Sequence, residues 1–480
     1  MRTCVGLMVL MLLTSGCQKV EFTHRAEFNN LEEFAQDYVG QILTNYFGTA
    51  TDMVVWDRLK LNSNLANGEV TFASNGSGQT RIVLNLTEPH QEIPPGTELF
   101  WVNGDLSGKE SSWISEWNNL TNTATLETKL EALPVAGTKV ILGPGQVLAQ
   151  GRHLYAVHCQ HCHGVTGDGA GPTAEYLNPL PRDYRRGIYK FTLTQASERA
   201  SRVDLTHIIE DGIPGTYMPS FKLLSPDEMQ SVVEYVLWLS MRGEMEYQLV
   251  RYLSTDYSKE AVKERIEAGL EAQKEGEEDF ETYDKIRKEF IALANDPEEL
   301  QYEFLDSVDL MVSRWESAQS PDAQVVPTEK WANNDPASIE RGRQLYLSVD
   351  LNCFACHGEA GFGDGPQTYA ITKDLDTGKD NPKPGLYDAW GHPSPPRNLH
   401  TGIYRGGRRP IDLYARIHAG IKGTSMPAFG SKLKDQEIWD IVNFIYSVPF
   451  QSPKAGDGLK QATGTATTEG SVSMKETPAN

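Results

Sequence analysis

Three things are scarce in this sequence of 480 residues: cysteine, positive charge and long apolar runs. Of its 6 cysteines four stand in two short pairs, and the other two, Cys4 and Cys17, lie near the start. No thiol remains for a structural disulfide, so the folded state must rest on packing. Lysine and arginine total 44 against 65 aspartates and glutamates, a formal net charge of −21. Such a chain repels nucleic acid and anionic lipid and draws basic partner surfaces from a distance. Past Leu13 no stretch of eighteen apolar residues occurs, which excludes a hydrophobic spanning helix there and leaves lipid as the means of any membrane attachment.

What the sequence does hold is a pair of pentapeptides, each followed by glycine: Cys159-Gln-His-Cys162-His163-Gly164 and Cys353-Phe-Ala-Cys356-His357-Gly358. C-x-x-C-H is the pattern of c-type haem attachment. Two thiols one helical turn apart can each add to a vinyl group of one porphyrin, and the adjacent histidine then lies under the iron. A zinc site would want two further thiolate or imidazole ligands at matching spacing, and redox dithiols rarely carry the trailing histidine. The expectation is two covalently attached haem c groups, held by Cys159, Cys162, Cys353 and Cys356, with His163 and His357 as proximal metal ligands.

The motifs sit in an internal repeat. An offset of 208 residues superposes Asp204-Leu205 on Asp412-Leu413, Gly212 on Gly420 and Met218-Pro219 on Met426-Pro427. Gly151-Arg-x-Leu-Tyr155 returns as Gly342-Arg-x-Leu-Tyr346, and Gly187-Ile-Tyr189 as Gly402-Ile-Tyr404. Met218 and Met426 both stand in Gly-Thr-x-Met-Pro-x-Phe. A lone methionine is usually core filler, but the shared register and the stiffening proline assign both as distal iron ligands, a set that raises the reduction potential over bis-histidine. Pro172 and Pro366, each nine residues after the motif histidine, are candidates to accept the ring Nδ1 hydrogen through their carbonyls. Arg182 and Arg397, also paired by the repeat, are candidate propionate partners. His207 and His418 do not align and read as surface residues or neighbours of the site, and His158 and His161 point away from the iron by helix geometry.

The remainder divides around the haem segments. Residues 1–16, a basic residue and a short apolar run ending in Thr14-Ser15-Gly16 before Cys17, resemble a bacterial lipoprotein signal with Cys17 as the lipidated residue; an ordinary secretory signal is the alternative. Residues 17–145 suggest one amphipathic helix through Phe28, Leu31, Phe34, Tyr38, Ile42 and Tyr46, a hairpin from 70–73 and 81–84 about Asn75-Gly-Ser-Gly78, and a strand at 98–102. A small mixed accessory domain and an extended arm fit that region equally. Haem segments follow at 146–245 and 336–450. Ser225-Pro226-Asp227-Glu228 marks the start of the helix closing the first, by N-cap, proline and capping box. Between them, 246–335 reads as a charged helical pair or triplet, interrupted at Asp296-Pro297. From Met241 to Ser320 there are 21 acidic and 10 basic residues. The small, polar residues 451–480 read as a disordered tail.

The two haem segments resemble class I cytochrome c domains, of the type found in tandem in the di-haem subunit of cbb3-type oxidases and in the lipidated cytochromes of alternative complex III. The want of a spanning helix sets this chain apart from the former. The resemblance implies a mainly α fold, two cytochrome c domains joined by a helical insert, with a small mixed α/β N-terminal region. It also implies an exported, lipid-anchored di-haem cytochrome on the periplasmic side of a bacterial membrane. Such a protein passes single electrons to redox proteins or respiratory complex subunits and not to nucleic acid. Two rivals are a di-haem peroxidase-like enzyme with one open haem and a structural subunit of a larger complex.

Overall fold

A computed structural model describes residues 20–54, 69–75, 79–86, 93, 95, 97–101, 104–106, 112–142, 144–276, 280–296, 300–332, 335–375 and 377–451. Cys4, Cys17, the leader and the tail beyond 451 lie outside the described residues. In chain order, α1 (Glu33–Phe47) precedes six strands, β1 (Glu69–Asn75), β2 (Arg81–Asn85), β3 (Thr97–Trp101), β4 (Ser112–Asn118), β5 (Thr123–Leu126) and β6 (Lys139–Leu142). Then come α2 (Pro144–His158), α3 (Gln160–His163), α4 (Arg202–Asp211), α5 (Pro226–Tyr257), α6 (Lys259–Lys274), α7 (Tyr283–Ala294) and α8 (Leu300–Ser317). The chain ends with α9 (Pro336–Tyr346), α10 (Phe354–His357), α11 (Pro410–Ala419) and α12 (Asp435–Ser447). The fold is mainly α. It divides into two compact units, one of residues 1–188 and 221–317, the other of residues 189–220 and 318–480. Among the described residues no helix is long and apolar enough to cross a membrane.

In the first unit the expected hairpin forms, β1 against β2, but it is part of a closed barrel in the order β1-β2-β5-β4-β3-β6. Closure is made by β6 pairing with both β1 and β3. Alternation explains the interior: Ile82 and Leu84 point in from β2, Ala124 and Leu126 from β5, Leu99 and Trp101 from β3, and all are buried. Closing the sheet removes its free edges. The predicted helix at the start also forms. It spans Glu33–Phe47, so Phe28 and Leu31 lie before it, and its fully buried stripe is Ala35, Val39, Leu43 and Phe47, with Phe34 and Tyr38 on the flank. That flank meets the insert: Phe34 lies 4.9 Å and Tyr38 5.7 Å from the Phe290 ring of α7.

The capping box predicted at Ser225 is present, with Ser225 N–H donating to Glu228 Oε2 at 2.8 Å and Glu228 N–H donating to Ser225 Oγ at 3.3 Å. The helix it starts runs 32 residues without a break at 245 and so enters the insert, which adds α6, α7 and α8. From Ser231 to Glu246 α5 is buried on every side. Its buried charge is matched locally: Glu246 accepts from the Arg25 N–H at 2.8 Å, faces His24 Nδ1 at 3.2 Å and lies 3.7 Å from Arg242.

In the second unit α9 crosses α12 closely. Gly342 makes this possible, because a β-carbon there would overlap the Asp440 carbonyl and crowd Phe444. Asp440, buried, also ties the two helices through its carboxylate, which accepts from Ser338 Oγ at 2.6 Å, Arg341 Nε at 2.7 Å and Gln436 Nε2 at 3.0 Å. Burial pushes this carboxyl up, but the hydrogen bonds from Arg341, Ser338 and Gln436 outweigh it and hold Asp440 below the usual range. Residues 189–220 are fastened within this unit by the Val325 N–H to the Leu193 carbonyl at 2.7 Å and by Lys422, whose Nζ donates to Thr194 Oγ1 at 2.8 Å and the Glu198 carbonyl at 2.7 Å.

Three stability predictions result. Gly342→Ala forces the α9–α12 crossing apart and lowers stability by about 1–3 kcal/mol in denaturant titration. Gly40→Ala, in α1 with open space around it, instead stabilises by about 0.5–1 kcal/mol. Because Asp440 has its folded pKa depressed, its contribution is complete above the unfolded value of ~3.9 and is lost as pH falls through the lower folded value. Asp440→Asn therefore flattens the acid limb of the stability–pH curve, as followed by denaturant midpoints between neutral and acid pH.

Candidate haem sites

Each C-x-x-C-H segment is a short helix pinned at both ends. His163 N–H donates to the Cys159 carbonyl at 2.9 Å and His357 N–H to the Cys353 carbonyl at 3.0 Å, which holds thiol and imidazole on one turn. Gly164 (φ 75°) and Gly358 (φ 78°) then end the turn in a conformation that only glycine adopts freely. A buried tyrosine from the preceding helix seals each end: Tyr155 OH donates to the Gly164 carbonyl at 2.8 Å, and Tyr346 OH to the Gly358 carbonyl at 2.6 Å. These are the tyrosines of the repeated Gly-Arg-x-Leu-Tyr. None of the four motif cysteines is in a disulfide. Burial pushes the Cys159 thiol up to about 12 and the Cys353 thiol to about 11, whereas a redox dithiol needs a depressed pKa. Burial likewise lowers both His163 and His357, keeping each imidazole neutral as a metal ligand must be.

The partner of each imidazole corrects one expectation from the sequence. His163 Nδ1 faces the carbonyl of Arg182 at 3.2 Å, and His357 Nδ1 that of Arg397 at 3.4 Å. Pro172 and Pro366 do not hold this role; both are exposed. The reason is the loop after the motif. Gly171 and Gly365 N–H groups return to the carbonyls of Cys162 and Cys356, both at 3.1 Å, so the prolines that follow start turns on the outer side. Gly169 and Gly363 meanwhile pack beneath the 181–183 and 396–397 backbone, where a β-carbon would crowd the Pro181 and Pro396 carbonyls. That packing brings the arginine carbonyls over the rings. The repeat had already singled out Arg182 and Arg397, but for their side chains.

Both methionine loops lie in the second unit and have the same internal bonds. Ile213 N–H donates to the Met218 carbonyl at 3.1 Å and Ile421 N–H to the Met426 carbonyl at 3.2 Å. Thr216 and Thr424 each accept from the methionine N–H, at 3.1 and 3.2 Å. Gly212 and Gly420, both at positive φ, let the returning loop backbone pass close by. His207 sits between Asp211 and Arg409, and His418 stacks on Tyr414, so neither reaches the cavity described next.

Within the second unit one cavity of about 640 Å³ collects the sequence-predicted residues of the second motif: Cys353, Cys356, His357, Arg397 and Met426 all line it. Its size is within the ~300–1,000 Å³ common to cofactor sites. Leu351, Leu413, Ile417, Phe429, Ile441 and Ile445 supply apolar lining, and Lys190, Arg397, Arg405 and Arg416 supply cations. Buried Arg405 Nε has no hydrogen-bond partner. An apolar plate with anionic carboxylates at one edge suits this wall, so the residues fit a haem. Cys353 and Cys356 would hold it covalently, with His357 and Met426 on the lining as axial donors.

The family comparison agrees with two repeated domains. A cytochrome c family model matches residues 148–240 and again residues 339–449. The chain carries two cytochrome c domains in tandem. A solved structure similar to it is a chain of the reducing HAO-like protein complex of Kuenenia stuttgartiensis, 22% identical with a TM-score of 0.39, over 62% of this chain and 95% of that one. No curated protein matches it.

The tyrosine seal yields a prediction. Tyr346→Phe leaves the buried Gly358 carbonyl without its tyrosine donor and destabilises the second domain by about 1–3 kcal/mol, seen as a lowered denaturant midpoint for the spectral change of its haem.

Proposed function

We propose that the protein is a di-haem electron carrier, exported and tethered by lipid at Cys17, which passes single electrons between redox proteins or subunits of a respiratory complex on the periplasmic side of a bacterial membrane. The observation that carries this reading is the identical bonding of the two methionine loops, joined to two identically built C-x-x-C-H turns. Haem c, when bound, supplies a reversible one-electron iron couple. In this reading Cys159 and Cys162 hold one group and Cys353 and Cys356 the other, and His163 with Met218, and His357 with Met426, serve as axial donors. Closing both faces suits electron transfer, since neither iron then offers a position to peroxide. The match of the family model across both His163 and Met218 supports pairing these two in the first domain.

The Arg182 and Arg397 carbonyls keep each imidazole in one tautomer, with Nδ1 protonated and Nε2 directed to the metal. The apolar walls exclude water, which disfavours the more highly charged oxidised state and raises the potential. Export and the lipid tether rest on the leader and Cys17; the net charge of −21 suits a basic docking partner and no nucleic acid.

The test is spectroelectrochemical titration of the full-length holoprotein beside Met218→Ala and Met426→Ala. Each substitution is expected to lower one of two midpoints by on the order of 100 mV and to open that haem to carbon monoxide. Rapid stoichiometric binding of carbon monoxide to the reduced wild-type protein would instead favour an enzyme with an open haem.

A further inference from the structure

The charge on the second cavity is one-sided. Its charged side chains are Lys190, Arg397, Arg405 and Arg416, and among the described residues no carboxylate lines it. For a chain of net charge −21 that is an unusual local balance, and a cation drawn from water is costly without an anion to receive it. The sequence had pointed to Arg397 alone, yet Arg397 directs its Nε to the Ile403 carbonyl at 2.8 Å. Arg405 differs, since its Nε is buried with no partner, and burial together with neighbouring Arg397 lowers its pKa.

The surroundings of Arg405 hold it in place. Arg416, itself buried, donates to the carbonyls of Gly406 and Gly407, the two residues that follow. Gly406, at φ 76°, packs on the Phe191 side chain so closely that a β-carbon would overlap it. Phe191 follows Lys190, which lines the same cavity and is paired with Asp388 at 2.8 Å. By the repeat that aligns Gly187-Ile-Tyr189 with Gly402-Ile-Tyr404, Lys190 is the counterpart of Arg405. One cavity therefore receives the cation at this position from both copies of the repeat.

We propose that Arg405, assisted by Lys190 from the first repeat, is the binding site for the carboxylates of the tetrapyrrole in the second domain and raises the reduction potential of that centre. Arg416 is a positioning residue that fixes the turn carrying Arg405. The proposal rests on the di-haem reading above. Its physical basis is that a guanidinium beside the carboxylates offsets negative charge that would otherwise favour the oxidised iron.

The experiment is spectroelectrochemical titration of the full-length holoprotein, with haem content measured on the same samples. Wild type is compared with Arg405→Gln, Arg405→Lys and Lys190→Gln, and Met426→Ala identifies the wave of the second centre. Arg405→Gln is expected to retain both haems and to lower the ferrous-to-ferric ratio of that centre about tenfold at fixed potential, a shift of ~59 mV for one electron. Arg405→Lys, which keeps the charge, is expected to restore most of it. If Arg405→Gln keeps both haems and leaves that wave in place, the proposal is overturned while the di-haem reading stands. If wild type carries haem on one motif only, the reading itself fails. Should Arg405→Gln not assemble, Lys190→Gln decides: a fall of the same wave upholds the site and an unmoved wave removes it.

Discussion

A close approach of helix to helix at a glycine in each haem domain is the constraint on which the rest depends. Gly151 meets α5 so tightly that a β-carbon would overlap the Ser231 carbonyl, and Gly342 meets α12 at the Asp440 carbonyl in the same way. The aromatic pairs beside these crossings, Tyr155 with Tyr235 at 5.2 Å and Tyr346 with Phe444 at 5.1 Å, lock the helices at that distance. The same Tyr155 and Tyr346 then reach past the crossing to bond the glycine carbonyl that ends each C-x-x-C-H turn. The angle of one helix pair thus sets where two thiols and an imidazole stand. A small shift there would move all three together.

From that common frame the two copies diverge in what they do with their ends. In the first, the closing helix continues past Glu246 and becomes the spine of a unit that also holds the barrel and the helices of the insert. Charged residues within its buried stretch face one another, Glu246 accepting from the Arg25 N–H, facing His24 and lying within ion-pair distance of Arg242, while Arg242 Nε and Glu246 Oε2 are left without a hydrogen-bond partner. In the second, the closing helix stops at Ser447, and the long loop between the motif and α11 is free to shape a cavity wall. Lys190 and Phe191 add to that wall, and Lys422 ties their strand of chain down within the unit. The repeated sequence gives the two C-x-x-C-H turns the same outline but different surroundings.

The electrostatics of the second domain follow the same division. Neutral, buried groups sit against the body of the cofactor cavity, with His357 and the thiols shifted by burial toward their uncharged forms. Formal charge on the lining, carried by Lys190, Arg397, Arg405 and Arg416, is all positive. This arrangement can hold an amphipathic group in a single orientation without a carboxylate of the protein competing for the arginines.

Local patterns decided much of this protein from the sequence alone. Covalent spacing in C-x-x-C-H, the threonine and glycines around each methionine, the capping box at Ser225 and the alternation in β2 all act over a few residues, so they read directly. The mainly α class and the tandem of haem domains follow from them. Only the tertiary structure decided the rest, and in each case the reason is distance along the chain. Barrel closure needs β6 to find β1 and β3 across long connections, and short strands such as Thr123–Leu126 carry little signal alone. The imidazole partner is the Arg182 or Arg397 carbonyl because glycines far from the arginine let two loops touch, and main-chain carbonyls carry no sequence signature. The burial of Arg405 Nε, and the presence of Lys190 on the same cavity lining, depend on where a segment of the first repeat comes to rest, which packing sets and periodicity cannot express.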